Sequence, residues 1–291
     1  MRESRLSRAA RAIAVLAIVA WSLGPIAVGV VTSFSTEADV ESVPAHWLPD
    51  QPTTASYETL LGQGGAADSS TTGIRTPSEV GAFGSAMVNT AVVTAESVVG
   101  CLIVSVFAAY AFSRLRFVGR RLTFVALVVT LEVPVFALLA PLFELMANTK
   151  LIDTQLGLVL IYISAQAPLA VWLLYNYCRE LPSEPEEAAM LDGCGRFGVF
   201  WRIVLPQMRS PIAAVAAIVM LSVWGQFLIP LLFAPTIATK PVTVLITEFV
   251  GKYHTNQPLL VAAGMIALVP PAVVALLLNR QIRGALSGWA S

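Results

Sequence analysis

Residues 187–193 read Glu-Ala-Ala-Met-Leu-Asp-Gly, and residues 203–206 read Ile-Val-Leu-Pro. This polar stretch lies between apolar runs that are long enough to cross a bilayer, which takes about 20 residues each. Apolar runs of this length predict helices, because a segment inside a bilayer must satisfy its own backbone hydrogen bonds. The predicted fold class is therefore an all-α, polytopic membrane protein.

The polar stretch itself predicts a short helix with a marked beginning. Ser183 is a suitable N-cap, and Glu186 three positions later completes a capping box with it. Pro185 falls in the first turn, where a proline costs no helical hydrogen bond. These three residues predict a helix that begins next to Ser183.

The end of this helix is also marked. Gly193 and Gly195 are expected to end it, because glycine adopts the left-handed C-cap conformation without strain. A second helical run over 197–205 is expected to stop at Pro206. The segment is thus predicted to be two short helices joined by a glycine-containing turn.

Composition excludes an ordinary soluble domain. Hydrophobic residues make up 56% of the chain and charged residues 12%, whereas soluble domains carry about 25% charged residues. The net charge is zero, and we expect no nucleic-acid partner. The predicted membrane spans are, in order, Ala12–Phe34, Gly84–Phe112, Leu122–Met146, Leu156–Cys178, Ile212–Phe233 and Leu259–Asn279. The first run has a basic start like a signal peptide, but its apolar core is longer, so an uncleaved span is predicted.

The basic residues predict the orientation, because cytoplasmic loops are rich in Lys and Arg. Fourteen of the 18 basic residues fall on one side of the predicted topology. They are Arg2, Arg5, Arg8, Arg11, Arg114, Arg116, Arg120, Arg121, Arg179, Arg196, Arg202, Arg209, Arg280 and Arg283. The other side holds Arg75, Lys150, Lys240 and Lys252. We therefore predict a multi-pass protein with both termini in the cytoplasm.

The same topology divides the chain into parts. Residues 1–11 are predicted to be a cytoplasmic N-terminus, 12–279 a transmembrane domain and 280–291 a cytoplasmic tail. Within the membrane domain, 35–83 is the predicted external loop and 179–211 the cytoplasmic loop that contains the Glu-Ala-Ala stretch.

Cysteine and histidine usage predicts neither a disulfide framework nor a metal site. Cys101, Cys178 and Cys194 lie in a span, at a cytoplasmic span end and in the cytoplasmic loop, so none has a partner in an oxidising compartment. His46 and His254 are isolated in predicted external loops. No His/Cys group has metal-ligand spacing.

The stretch 187–206 resembles the signature cytoplasmic loop of ABC importer permeases. In that family Glu-Ala-Ala, three residues, Gly, nine residues and Ile-x-Leu-Pro recur, and every position is met here. The family's loop forms a short helix that docks on the ATP-hydrolysing subunit. The resemblance implies that the residues coupling this chain to an ATPase are Glu187, Ala188, Ala189, Asp192, Gly193, Leu205 and Pro206.

Further motifs follow in the family's order and narrow the resemblance to the carbohydrate-uptake branch, in particular the maltose-type second permease. Ala108–Phe117 is close to the pattern Ala-Tyr-Ala-x-x-Arg-x-x-Phe, Asn89–Thr90 opens the second span, and Leu151–Thr154 match the turn into the fourth span. Residues 47–49 and Tyr57 look like the family's first external loop. The resemblance implies the six-span type I ABC importer permease fold.

Polar groups at membrane depth are candidates for a substrate path, because they are costly unless they face a bundle interior or water. The family's Trp-Asn-(Glu/Asp)-Phe appears here as Trp-Gly-Gln-Phe over 224–227, and Glu132 stands where an apolar residue is commoner. Both departures leave the substrate open. The predicted path residues are Trp224, Gln226, Asn89, Glu132 and Gln166. For each of them a packing role or a hydrogen bond between subunits is an equal alternative.

The resemblance implies a transport subunit in a bacterial cytoplasmic membrane that imports sugars or oligosaccharides. The implied partners are a second permease in a heterodimer, an ATPase dimer, an extracytoplasmic solute-binding protein, a carbohydrate substrate and the lipid bilayer. The chain has no Gly-x-x-x-x-Gly-Lys-(Ser/Thr) loop, so ATP and Mg²⁺ are expected on the ATPase. The chain itself is expected to bind no cofactor and to be no enzyme. A Gly/Ser/Thr-rich run over 62–76 is predicted to be a flexible insertion, with contact to the solute-binding protein as the alternative.

Three alternatives remain open at this point. The same architecture would import glycerol phosphodiesters or another polyol, for which basic residues clustered in the path would be the signal, and the spans offer none. An ion-coupled secondary transporter would use Glu96 and Glu132 as coupling sites and would need no ATPase. A membrane-embedded enzyme is the weakest alternative, since no His/Asp, Ser/Lys or metal pair is evident in the spans.

Overall fold

The computed structural model describes residues 5–43, 47–62, 80–250 and 256–287 of the 291-residue chain. Every regular element in these ranges is helical, and the predicted all-α class is confirmed. The α-helices are α1 (Arg5–Ser33), α2 (Glu37–Val40), α3 (Ala55–Leu60), α4 (Phe83–Arg114), α5 (Arg120–Val129), α6 (Val135–Asn148), α7 (Gln155–Glu180), α8 (Glu184–Leu191), α9 (Arg196–Val199), α10 (Leu205–Gln207), α11 (Arg209–Trp224), α12 (Leu228–Phe233), α13 (Val242–Glu248) and α14 (Gln257–Ser287). A π-helical turn, Phe200–Val204, joins α9 to α10.

In the described ranges, four helices are long and apolar enough to cross a membrane: α1, α4, α7 and α14. Two bent helix pairs raise the number of spans to as many as six if each pair counts as one. The four long helices coincide with the predicted first, second, fourth and sixth spans. The other two predicted spans differ from the structure in an informative way.

The predicted third span, 122–146, is not one straight helix. The segments 120–132 and 135–148 meet at an angle of 104°. Pro134 has no N–H for the helical ladder and pushes the residue before it out of the helical region. Val133 is accordingly extended, with φ −76° and ψ 121°. The sequence showed the proline but not the size of the bend.

The predicted fifth span, 212–233, is also wrong as a single helix. Helix α11 ends at Trp224, and α12 begins only at Leu228. Glycine weakens a helix, and the Gly225 N–H closes the last turn of α11 on the Leu221 carbonyl over 3.2 Å. At its start, α11 meets the segment 196–207 at 71°. The break after α11 lies at two of the predicted path residues, Trp224 and Gln226.

The helices form two compact units. The first contains 1–84 and 245–269, and the second contains 85–244 and 270–291. In the first unit, the predicted external segment is tied to the end of α1. The Tyr57 hydroxyl donates to Ser33 Oγ over 2.7 Å, its ring lies 5.0 Å from that of Phe34, and the Thr53 N–H donates to the Phe34 carbonyl over 2.8 Å. The insertion predicted over 62–76 lies almost entirely outside the described residues, as do His46 and His254.

The second unit has a continuous apolar core built from α4, α7, the π turn and α12. Cys101, Leu174 and Val204 are fully buried, and Phe233 nearly so. Small residues allow the backbones to approach closely. A Cβ at position 157 would overlap the Leu151 carbonyl oxygen, so α7 can begin in this place only with glycine.

Replacing Gly157 with alanine is expected to destabilise the second unit by about 1–3 kcal/mol, because the added methyl group meets a main-chain oxygen that cannot move independently. Gly264→Ala is the matched control, since its Cβ would contact nothing within 4 Å. The thermal unfolding midpoint of the purified chain in detergent measures both changes. Equal midpoints for the two variants would contradict the tight approach at α7.

Candidate functional site

Helix α8 carries the Glu-Ala-Ala stretch, and its end forms as predicted. Gly193 has φ +86°, the left-handed conformation. Its N–H donates to the Met190 carbonyl over 3.1 Å, and the Cys194 N–H donates to the Ala189 carbonyl over 2.9 Å. These two bonds form a Schellman motif, which closes the helix and satisfies its last carbonyls. Gly195, by contrast, is extended (φ −68°, ψ 159°) and begins α9, so its predicted left-handed role is wrong.

The beginning of α8 departs from the prediction. Pro185 lies in the first turn as expected, but the Ser183 side chain makes no capping hydrogen bond. The predicted capping box is therefore absent. Glu186 is the reason, because its side chain points into the protein and is buried. A stronger tertiary partner has replaced the local one.

That partner is Arg114, the last residue of α4. Arg114 Nε donates to Glu186 Oε1 over 2.7 Å, and its Nη2 donates to the Leu181 carbonyl over 2.8 Å. The two side chains are only 17% and 9% exposed. A charge-assisted bond of this length is among the stronger polar contacts in proteins. It fastens the start of α8 to the end of a membrane helix.

The pair of Arg114 and Glu186 was not predicted from the sequence. The signal was present, because Arg114 is the Arg of the Ala-Tyr-Ala-x-x-Arg pattern and Glu186 is the residue before Glu-Ala-Ala. The two residues are 72 positions apart in the sequence. Only the packing of α8 against α4 shows that they meet.

The outward side of α8 is exposed and partly apolar. Glu187, Ala188, Met190 and Leu191 are exposed, and Leu191 is 90% exposed; we call these four residues the α8 face. A leucine exposed to this extent in an otherwise polar loop is typical of a protein interaction site when other apolar groups surround it. Ala189 instead packs inward against the core, so only one of the two alanines lies on the face. Asp192 is also exposed.

The second part of the stretch is a continuous helical run, contrary to the predicted stop at Pro206. The Leu205 N–H donates to the Phe200 carbonyl, a π-type bond that spans five residues. Pro206 follows this π turn and has no N–H to donate to it. The chain bends at Met208 instead. Leu205 is half-buried and packs on the core.

An aromatic cluster connects this run to α4. The ring of Phe200 lies 4.9 Å from that of Tyr110 and 5.2 Å from that of Phe107. Phe200 is buried. Such ring pairs contribute about 0.5–1.5 kcal/mol beyond their buried area. The π turn is thus the second place where the polar segment is fastened to α4.

The predicted path residues are distributed over several environments. Gln226 is half-buried in the break between α11 and α12, where its carbonyl accepts from Thr243 Oγ1 over 2.7 Å, and Trp224 beside it is buried. Gln166 is half-buried on α7. Glu132 is exposed in the turn before the 104° bend. The structure brings only Trp224 and Gln226 together.

Asn89 has a structural position. Its amide nitrogen lies within hydrogen-bond distance of the Ile237, Ala238 and Lys240 carbonyls at 3.4, 3.0 and 3.3 Å, and Gln155 Nε2 donates to its oxygen over 3.3 Å. The side chain is buried. With its hydrogen-bonding groups occupied by the protein, Asn89 holds the loop after α12 and offers no group to a solute.

Two neighbouring motif residues hold the same loop. Thr90 Oγ1 accepts from the Val242 N–H over 2.8 Å. Asp153, which has φ +58°, accepts from the Thr236 hydroxyl over 2.7 Å and from the Thr239 hydroxyl, and its own N–H donates to the Phe233 carbonyl. The motifs at the starts of α4 and α7 therefore serve to fix this loop.

Asp153 makes the loop sensitive to acid. Partial burial raises the pKa of its carboxyl, but the hydrogen bonds from Thr239 and Thr236 and the charge of Lys240 outweigh it and hold the pKa below its ordinary value. A lowered pKa in the folded state contributes stability that is present above the unfolded pKa of about 3.9 and is lost as pH falls through the folded value.

Asp153→Asn is accordingly expected to lower the unfolding midpoint at pH 7 and to have a progressively smaller effect below about pH 4. Thermal unfolding across this pH range measures the difference. Asp192→Asn, an exposed carboxylate outside this network, is the control and should leave the midpoint nearly unchanged. If the difference in unfolding midpoint between Asp153→Asn and the parent chain did not change with pH, the lowered pKa of Asp153 would be contradicted.

Among the described residues, no group of three His, Cys, Asp or Glu side chains could hold a metal ion. Cys101 and Cys178 are buried and Cys194 is half-buried, and all three are free. Glu96 and Glu144 are exposed on the surface of the isolated chain.

Comparison with known proteins agrees with this geometry. The family described as binding-protein-dependent transport system inner membrane component matches residues 101–287. The trehalose transport system permease protein SugB of Mycobacterium tuberculosis is 32% identical over 209 residues, 71% of this chain and 76% of that protein. The diacetylchitobiose uptake system permease protein NgcG of Streptomyces coelicolor is 28% identical over 211 residues, 70% of this chain and 68% of that protein.

A solved structure extends the likeness to nearly the whole fold. A chain of a bacterial ABC transporter involved in the import of the acidic polysaccharide alginate has a TM-score of 0.80, covering 96% of this chain and 99% of that chain at 21% identity. This shows a shared fold. Because the family model matches residues 101–287, more than half of the sequence, the chain belongs to the binding-protein-dependent transport system inner membrane components.

Proposed function

We propose that this chain is a permease subunit of an ATP-driven importer for sugars or oligosaccharides. Family membership supports the transport role. The names of two relatives refer to trehalose and diacetylchitobiose uptake, and the solved transporter imports a polysaccharide, which supports a carbohydrate cargo. A second permease, an ATPase dimer and an extracytoplasmic binding protein complete the proposed assembly.

The observation that carries the proposal is the α8 face. It presents Leu191, Met190 and Ala188 beside Glu187 on a helix closed by a rigid Schellman turn, and the isolated chain leaves these side chains uncovered. We assign this face to the ATPase, with Glu187 available for a basic residue of that subunit. The basic residues near it support a cytoplasmic location of the loop and of both termini.

The inward side of α8 supplies the route by which motion reaches the membrane. When the ATPase dimer closes on ATP and displaces α8, the bond between Glu186 and Arg114 pulls the end of α4. The rings of Phe200 and Tyr110 act on the same helix one turn away. Because packed interiors transmit displacement with little compression, α8 and α4 move together. The substrate path then switches between outward-facing and inward-facing states.

The break between α11 and α12 is the best-placed part of a sugar path. Residues 225–227 interrupt the helical ladder, and non-helical backbone at membrane depth is tolerated where it is buried or lines a cavity. The Gln226 amide and the Trp224 ring suit the hydroxyl groups and C–H faces of a sugar. Asn89 is left out of this path, because its amide holds the loop after α12.

Copurification from the native membrane, followed by an ATPase assay, tests the function. The expected result is a complex with an ATPase whose hydrolysis rises when one sugar and its binding protein are added. Stimulation by a glycerol phosphodiester instead would change the cargo and keep the architecture. A chain that purifies alone and moves solute under an ion gradient would overturn the proposal.

A further inference from the structure

A basic cavity of about 380 Å³ lies where the end of α4, the start of α5 and the end of α7 meet. Its lining residues come from all three helices. They are Phe112, Ser113, Arg120, Arg121, Phe124, Val125, Tyr175 and Arg179. The cavity is independent of the α8 face and of the proposed sugar path.

This cavity carries an excess of positive charge. Among the described residues, no carboxylate forms an ion pair with Arg120, Arg121 or Arg179. Arg120 Nη1 donates to the Leu115 carbonyl over 3.2 Å, and the Arg179 guanidinium lies 5.7 Å from the centre of the Tyr175 ring. Most of the guanidinium donors therefore remain available. Three cations around one cavity repel each other unless an anion lies between them.

The start of α5 adds further positive potential to this cavity. Arg120 and Arg121 lie in its first turn, where the helix dipole is positive and cations are unfavourable. The N-cap is Gly119, which has φ +82° and supplies no side-chain acceptor to the first-turn N–H groups. The Arg120 N–H donates to the Phe117 carbonyl over 3.3 Å, so an anion here would be bound by the guanidiniums and by the N–H groups of the residues that follow.

The apolar residues at the cavity indicate the nature of the anion. Phe112, Phe124 and Val125 line its wall, and Leu122 on the same helix is 75% exposed. Helix α5 thus leads from a cationic end to an exposed apolar surface, and together with α6 it forms a bent pair that is long and apolar enough for a membrane span. A free phosphate would use only the cationic end, whereas a phospholipid uses both.

We propose that this cavity binds an anionic glycerophospholipid. Its phosphate lies among Arg120, Arg121 and Arg179, and one acyl chain follows α5 past Val125 and Leu122. The bias of basic residues toward the cytoplasmic side accounts for their sidedness. This bias alone does not explain why three arginines from two helices line the same cavity. Clusters of this kind are typical of pockets that bind lipid headgroups.

The test uses the full-length chain in nanodiscs with equal amounts of phosphatidylglycerol and phosphatidylcholine. Lipids retained after mild extraction are counted by native mass spectrometry. Phosphatidylglycerol is expected to be enriched on the order of tenfold or more. The variant Arg120→Gln/Arg121→Gln/Arg179→Gln should lose the enrichment. The charge-matched control Arg116→Gln/Arg196→Gln/Arg202→Gln, with exposed arginines outside the cavity, should keep it.

A second measurement separates the lipid from a free anion and does not depend on the folding of the triple variant. Short-chain phosphatidylglycerol should raise the unfolding midpoint of the parent chain, while inorganic phosphate at the same concentration should not. Equal stabilisation by phosphate would overturn the proposal in favour of a simple anion site. Absence of enrichment in the parent chain, or equal enrichment in the triple variant, would overturn it altogether.

Discussion

Replacing Glu186 with arginine is expected to abolish sugar-stimulated ATP hydrolysis and transport. The variant places a second guanidinium where Glu186 Oε1 now lies 2.7 Å from Arg114 Nε. Removing one partner of a buried ion pair costs about 3–5 kcal/mol, and reversing its charge adds repulsion. The start of α8 should therefore separate from the end of α4, and movement of the ATPase would no longer reach the membrane.

Two further variants make this prediction specific. Glu184→Arg changes the charge at an exposed position of the same first turn and should retain most of the activity. The exchange Arg114→Glu/Glu186→Arg should recover part of the lost transport, since it restores opposite charges but not the bond from Arg114 to the Leu181 carbonyl. Full activity of Glu186→Arg would refute the fastening role. If Glu186→Arg loses transport and the exchange variant recovers none, although both proteins reach normal levels in the membrane, the pair would be only a structural contact.

Replacing Gly193 with valine is expected to uncouple ATP hydrolysis from transport while the protein still inserts into the membrane. A β-branched residue at φ +86° is strained by roughly 1–3 kcal/mol. A Cβ at this position would contact nothing within 4 Å, so the effect comes from the backbone and not from a clash. The Schellman turn should open and change the direction of the α8 face.

Gly193→Asn is the matched control, because asparagine tolerates the left-handed conformation far better than valine. It should retain most of the transport activity of the parent chain. Transport and ATPase assays on equal amounts of inserted protein measure both variants. If valine and asparagine reduce coupling equally, the left-handed conformation is not what position 193 provides.

Local sequence was sufficient for the end of α8 but not for its beginning. The left-handed turn at Gly193 depends on glycine and on bonds within five residues, so it could be predicted. The predicted capping box required the Glu186 side chain to accept a hydrogen bond from the Ser183 backbone N–H. A guanidinium from α4 competes better for that carboxylate than one backbone N–H does, and this competitor is invisible in a local pattern.

The membrane helices also divide into features that the local sequence predicts and features that depend on tertiary packing. Long apolar composition predicted α1, α4, α7 and α14, because burial of such segments in lipid depends on length and hydropathy alone. The broken third and fifth spans depend on how a proline at 134 and a glycine at 225 are accommodated by neighbours. The 104° bend at Pro134 and the end of α11 before Gly225 were not predicted from the sequence, and only the structure shows them.

The residues Asn89, Asp153 and Trp224 show where prediction from sequence ends. Asn89 and Trp224 were predicted as path residues, and Asp153 was noted only as part of the turn motif before the fourth span. The resemblance to the family followed from such motifs, and the all-α fold followed from the long apolar runs. Whether a polar side chain faces a solute or holds a loop depends on which carbonyls and hydroxyls come within hydrogen-bond distance of it. Tertiary structure alone decided that Asn89 and Asp153 hold the loop after α12, because their partners lie more than 80 residues away along the chain.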